Sequence, residues 1–154
     1  MSGIAAFPIP PVVKTVTVRC APDVAFRVFT ADIGRWYPLA IYSVHPAVDC
    51  ALEPFVGGRL FEVDADGRKT LWGSVTEWNP PHRLRLAWHA RASEAEAQEI
   101  DISFRPVPGG TEVRLAHDGW ERLQVEAAEW RDRYDGGWVE VFERRYKAFA
   151  DRAA

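Results

Sequence analysis

The stretch Tyr134-Asp135-Gly136-Gly137-Trp138-Val139-Glu140-Val141-Phe142-Glu143-Arg144-Arg145-Tyr146-Lys147-Ala148-Phe149 decides how the rest of the chain is read. Val139, Phe142, Tyr146 and Phe149 recur at helical spacing with Trp138 beside them. That is the apolar stripe of an amphipathic helix. Gly136 and Gly137 stand just before it, and glycine disfavours a helix interior while letting backbones approach closely. The pattern predicts a terminal helix that starts near Trp138 and is about 20 Å long at 1.5 Å per residue. A separate short helix is expected over residues 123–134. The stripe must face either a solid core or the wall of a pocket.

What lies upstream reads as a sheet for this helix to cover. Residues 12–20 alternate, with Val16, Val18 and Cys20 on one face and Thr15, Thr17 and Arg19 on the other. Ala21-Pro22-Asp23 opens a helix, since proline suits the first helical position and an acid suits the positive end of the dipole. A second short helix is expected around residues 31–34. Trp36-Tyr37-Pro38-Leu39 and Ile41-Tyr42-Ser43-Val44-His45-Pro46 are too aromatic for a solvated loop and fit either a flap over an opening or edge packing. Strands follow over residues 48–52, 59–63, 70–78, 83–88, 100–105 and 111–117. They are punctuated by Asp66-Gly67, Asn79-Pro80-Pro81 and Pro108-Gly109-Gly110. Leu84, Leu86, Trp88, Ile100, Ile102, Phe104, Val113 and Leu115 form one coherent apolar face. For residues 70–78 either face could point inward. Meander strands with one greasy face need a cover, and the terminal helix supplies it.

Composition narrows the function classes. Apolar residues make up 47% of the 154, with 27% charged, so one hydrophobic core suffices without staples. The net charge of −3, with basic residues interleaved among acids, argues against a nucleic-acid surface. No apolar run is long enough to span a bilayer. The start lacks the charged and apolar regions of a signal peptide. The expectation is a cytoplasmic protein, fitting a bacterial cytosol, with Cys20 and Cys50 as reduced thiols. Residues 1–11, with three prolines, read as a loose arm and residues 12–154 as a single domain. The four histidines lack metal-ligand spacing, and no phosphate-binding or dinucleotide motif occurs. No metal and no cofactor are expected.

The order of these segments resembles the START/Bet v1-like (SRPBCC) superfamily. Within it, the chain is similar to stand-alone proteins like the C-terminal domain of the activator of Hsp90 ATPase. The likeness rests on Val16-Thr17-Val18, Ala21-Pro22-Asp23-Val24-Ala25-Phe26, Trp36-Tyr37-Pro38 and Pro54-Phe55-Val56-Gly57-Gly58-Arg59. It continues through residues 73–84, Leu86-Ala87-Trp88, Gly110-Thr111-Glu112-Val113-Arg114-Leu115 with His117, and Gly137-Trp138. It implies an α+β helix-grip fold: a curved antiparallel sheet of six to seven strands around a long C-terminal helix, with short helices after strand 1. It also implies a cavity between sheet and helix, with Gly136-Gly137 as the gap where the chain turns into the gripping helix.

The function expected is binding of a small, largely apolar molecule in that cavity. The expected lining is Trp36, Tyr37, Trp72, Trp88, Phe104, His117, Trp120, Trp138 and Phe142, with rings giving contact area and a few polar groups giving orientation. A second reading is an enzyme of cyclase or hydrolase type using His117 with Glu77 or Asp101. Against it stand a rim histidine bonded to backbone and a Glu77 paired with a nearby arginine. A third is a co-chaperone-like interaction module, with a protein partner or a homodimer.

Overall fold

In the computed structural model, residues 9–153 are described. The arm expected over residues 1–11 therefore lies outside the described part except for its last three residues. Seven strands form one curved antiparallel sheet: β1 (Val12–Val18), β2 (Asp49–Leu52), β3 (Arg59–Val63), β4 (Lys69–Asn79), β5 (Arg83–Trp88), β6 (Gln98–Val107) and β7 (Gly110–Asp118). Their order is β1-β7-β6-β5-β4-β3-β2. Strands β2 to β7 are thus a simple meander, and β1 returns to pair with β7, Val16 opposite Val113. Three short helices lie between β1 and β2: α1 (Pro22–Thr30), α2 (Ile33–Trp36) and α3 (Leu39–Tyr42). Pro22 occupies the start of α1, where its missing N–H costs nothing.

The concave face is the one the alternation marks. Leu84, Leu86, Trp88, Ile100, Ile102, Phe104, Val113 and Leu115 are all buried. The face of β4 that the sequence left open turns out to change along the strand. Trp72 is an extra residue opposite Leu60 and Phe61, and Thr76 an extra residue opposite Leu86 and Arg85. Each bulge shifts the side-chain parity by one. Gly73, Val75 and Trp78 consequently face in, opposite Trp88, Leu86 and Leu84, while Glu77 faces out opposite Arg85. Gly73 is required by close approach: a Cβ there would lie 1.9 Å from the Ala87 carbonyl oxygen.

The terminal helix departs from the expectation. It runs without a break through residues 127–152, about 39 Å, as α4 (Ala127–Trp138), a π-helical segment (Val139–Tyr146) and α5 (Lys147–Arg152). The helix expected over residues 123–134 begins at Ala127 and is the first part of this one rather than a separate element; there is no gap at Gly136-Gly137, and both glycines lie inside α4. The buried face is also rotated. Val139 and Phe149 are only half-buried, whereas Trp138, Val141, Phe142, Tyr146 and Ala150 are buried. Trp138, Phe142, Tyr146 and Ala150 stand four residues apart. In a pure α-helix such a series drifts around the axis by about 40° per step. The wider π turns take up that drift and keep the four side chains on one line against the sheet.

Candidate ligand cleft

One end of the grip is not filled. A cleft of about 370 Å³ opens between the helix, the end of β5 and the α2–α3 segment, within the usual range for small-molecule sites. The helix supplies Trp130, Tyr134, Gly137, Trp138 and Val141, one face over three turns. The sheet side supplies Trp88 and the turn residues Ala90 and Arg91. Tyr37 and Tyr42, from the aromatic stretch read as a flap or edge, close the third side, and Arg133 stands at the rim.

These rings are locked by one another. Trp88 packs against Trp138 with centroids 6.0 Å apart and meets Tyr134 edge-on at 6.3 Å. Its indole N–H donates to the Tyr134 hydroxyl at 2.9 Å. Burial pushes the Tyr134 phenol above its ordinary pKa, against the opposing pull of the Trp88 bond and the Arg91 charge. It is a neutral phenol in the cleft wall.

Behind this wall lies His117, fully buried. Trp138 donates its indole N–H to His117 Nδ1 at 3.0 Å. Because an indole only donates, Nδ1 is the unprotonated nitrogen and Nε2 carries the hydrogen. Nε2 faces Gln98 Oε1 at 3.2 Å, and the Gln98 amide donates onward to the Glu96 carbonyl at 2.7 Å. Trp120 stacks on the imidazole at 4.1 Å and donates to the His117 carbonyl. Burial drives the His117 pKa down to about 3, so the ring is neutral.

Of the nine expected lining residues, Tyr37, Trp88 and Trp138 stand on the cleft wall. Trp36, Trp72, Phe104, His117, Trp120 and Phe142 are buried in the core behind it. Trp36 donates to the Val28 carbonyl, Phe104 packs on Phe26, and Phe142 stacks on Tyr146 at 5.4 Å. The sheet separates His117 from both carboxylates of the enzyme reading. Glu77 and Asp101 lie on the convex face, where Glu77 is 3.8 Å from Arg85 and Asp101 accepts from Arg83 and Arg85.

The sequence reading missed Trp130 and Tyr134, which precede Trp138 by eight and four residues. The signal was there, but it was cut by the assumption that Gly136-Gly137 end a helix. It also missed Glu62, which shares the inward parity of Leu60 on β3 and is buried. The Glu62 carboxylate accepts from the Val44 N–H at 2.6 Å, the His45 N–H at 2.9 Å and the Trp72 indole at 2.7 Å. It thereby ties the segment after Tyr42 to the sheet. Cys20 and Cys50 are free and buried, and burial pushes the Cys50 thiol up to about 12. Among the described residues no His, Cys, Asp and Glu group could hold a metal ion, and no helix is long and apolar enough to cross a membrane.

Residues 19–150 match the family described as Activator of Hsp90 ATPase homolog 1-like protein. The chain belongs to that family. Among solved structures, the chain is 33% identical to an anthrahydroquino-gama-pyrone synthase, Txn09, complexed with SUM, covering 92% of this chain and 97% of that one at a TM-score of 0.64. It is 23% identical to CalC, a self-sacrificing resistance protein from Micromonospora echinospora, covering 94% and 96% at a TM-score of 0.69. The AHSA1-like protein from Aeromonas hydrophila is 19% identical, covering 93% of each chain, with a TM-score of 0.64. The last two likenesses bear on the fold alone. No curated protein matches the chain.

Proposed function

We propose that this AHSA1-like protein binds a flat, largely apolar aromatic molecule in the cleft between sheet and terminal helix. The observation that carries this reading is the wall itself: six rings, Tyr37, Tyr42, Trp88, Trp130, Tyr134 and Trp138, face about 370 Å³ of open space. Rings in offset or edge-on contact are worth about 0.5–1.5 kcal/mol per pair beyond their buried area. Gly137 keeps the helix thin where the molecule enters; a Cβ there would come only to ordinary contact, 3.7 Å, with the Tyr42 ring. The fixed Trp88 and Trp138 rings give the site a shape before a ligand arrives, which lowers the ordering cost of binding.

The test is tryptophan fluorescence during titration with a polycyclic quinone such as anthraquinone. Wild type should quench saturably. Gly137→Leu places a good helix former in the cleft and should cut affinity at least tenfold without lowering the melting temperature. Unchanged affinity in that variant would place the binding elsewhere and defeat the reading.

A second reading is that the cleft also turns its ligand over. The 33% identity to a pyrone synthase across nearly both chains favours it. Product analysis by mass spectrometry after incubation with a polyketide-derived phenol would decide between capture and conversion.

A further inference from the structure

We infer that the ligand of this cleft is an aromatic anion, its negative oxygen held by Arg91, Arg133 and the Tyr134 hydroxyl, which line the ring-rich cleft; this rests on the reading of the cleft as a ligand site. The lining holds two arginines and no carboxylate. Among the described residues neither Arg91 nor Arg133 has an acidic side chain within salt-bridge distance. Arg133 lies over the Trp130 ring, 4.7 Å from its centroid, which holds its charge beside the cleft wall.

Arg91 is placed at a cost. The Ala92 N–H closes a turn onto the His89 carbonyl at 2.8 Å, and Arg91 is the third residue of that turn with φ +64. Glycine or asparagine is the usual occupant of such a left-handed position. The chain instead keeps a long cation there, and Arg91 reaches across to donate to the Ser43 carbonyl just after α3. A strained backbone that aims a charge into a cleft is the pattern of a functional site.

The third group is the Tyr134 hydroxyl. It already accepts from Trp88, so its own hydrogen is available to an acceptor in the cleft. Arg91, Trp130 and Tyr134 also border a second, smaller hollow that contains Gln98 and Glu96, so they stand together at one divide. Two guanidinium groups and one hydroxyl donor lining an otherwise apolar slot match a carboxylate or an ionised phenol on a polycyclic body.

The experiment compares an anthraquinone carboxylate with its carboxamide, and an ionised hydroxyanthraquinone with its methyl ether, by calorimetry at low and high salt. Wild type should prefer the ionised member of at least one pair by about tenfold or more, the worth of a charge-assisted hydrogen bond. Added salt should shrink that preference. Arg91→Gly should erase it while leaving the melting temperature unchanged or higher, since glycine suits the turn; Arg133→Gln should reduce it and Arg91→Lys should keep part of it. Equal binding within both pairs, or a preference that survives Arg91→Gly, overturns the anion assignment and leaves the cleft reading intact. Binding of no member, or binding that Gly137→Leu does not weaken, overturns the cleft reading and this inference with it.

Discussion

Trp138 and His117 are joined by a single buried hydrogen bond, indole N–H to imidazole Nδ1 at 3.0 Å, and it fixes the cleft wall to the sheet core. It decides both the tautomer of the histidine and the plane of the tryptophan. Trp138→Phe keeps a smaller aromatic ring and leaves Nδ1 without a donor. The expected loss is about 1–3 kcal/mol of stability, the cost of an unpaired buried acceptor. Urea denaturation checks it; a midpoint equal to wild type would mean that water takes over the bond.

His117 also sets an acid limit on stability. Its folded pKa is about 3, against an ordinary 6.5, because burial disfavours the imidazolium. Below 6.5 the unfolded chain takes up a proton that the folded chain refuses. Its contribution is therefore complete above about 6.5 and is lost as the pH falls toward 3, at up to about 1.4 kcal/mol per pH unit. Urea midpoints taken between pH 7 and pH 4 should fall more steeply for wild type than for His117→Gln. Parallel curves would refute this role for the residue.

The two glycines inside the terminal helix should separate under substitution. A Cβ on Gly136 meets nothing within 4 Å, so Gly136→Ala should gain about 0.5–1 kcal/mol through helix propensity and leave ligand binding untouched. Gly137 faces the cleft, and only there should a larger side chain affect binding. Thermal melts and titrations of both variants give the comparison. A destabilised Gly136→Ala would show that the helix needs flexibility at this point.

Glu62 anchors one side of the cleft from a distance. Its buried carboxylate receives two backbone N–H groups and the Trp72 indole. Glu62→Ala should cost about 2–5 kcal/mol by leaving several buried donors unpaired. Hydrogen exchange at the Val44 and His45 amides should accelerate by a larger factor than in the sheet. Uniform acceleration would instead mean a general loss of stability with no special tie to this segment.

The class of fold was legible because periodicity and burial are tied directly. Leu84, Leu86, Ile100, Ile102, Val113 and Leu115 repeat with period two, and all six are buried. The family resemblance was also readable, since the segment order carries it and residues 19–150 match the family. Three things were not legible, each for a physical reason. The inward face of β4 depends on bulges at Trp72 and Thr76, whose parity shifts exist only once β3 and β5 pair with it. Helix continuity through Gly136-Gly137 contradicts local propensity; packing of Trp138, Phe142 and Tyr146 against the sheet outweighs a penalty of about 1 kcal/mol per glycine. Which rings line open space and which fill the core is a matter of distance among residues far apart in the chain. Trp72 and Trp88 both belong to the concave side, yet only Trp88 reaches the cleft. The sequence by itself determined the strands, the greasy face and the presence of a covering helix, because these follow from local alternation. Tertiary packing alone decided the cleft, the neutral His117 and the acid-free arginines at its rim, because burial and electrostatics arise only when distant segments meet.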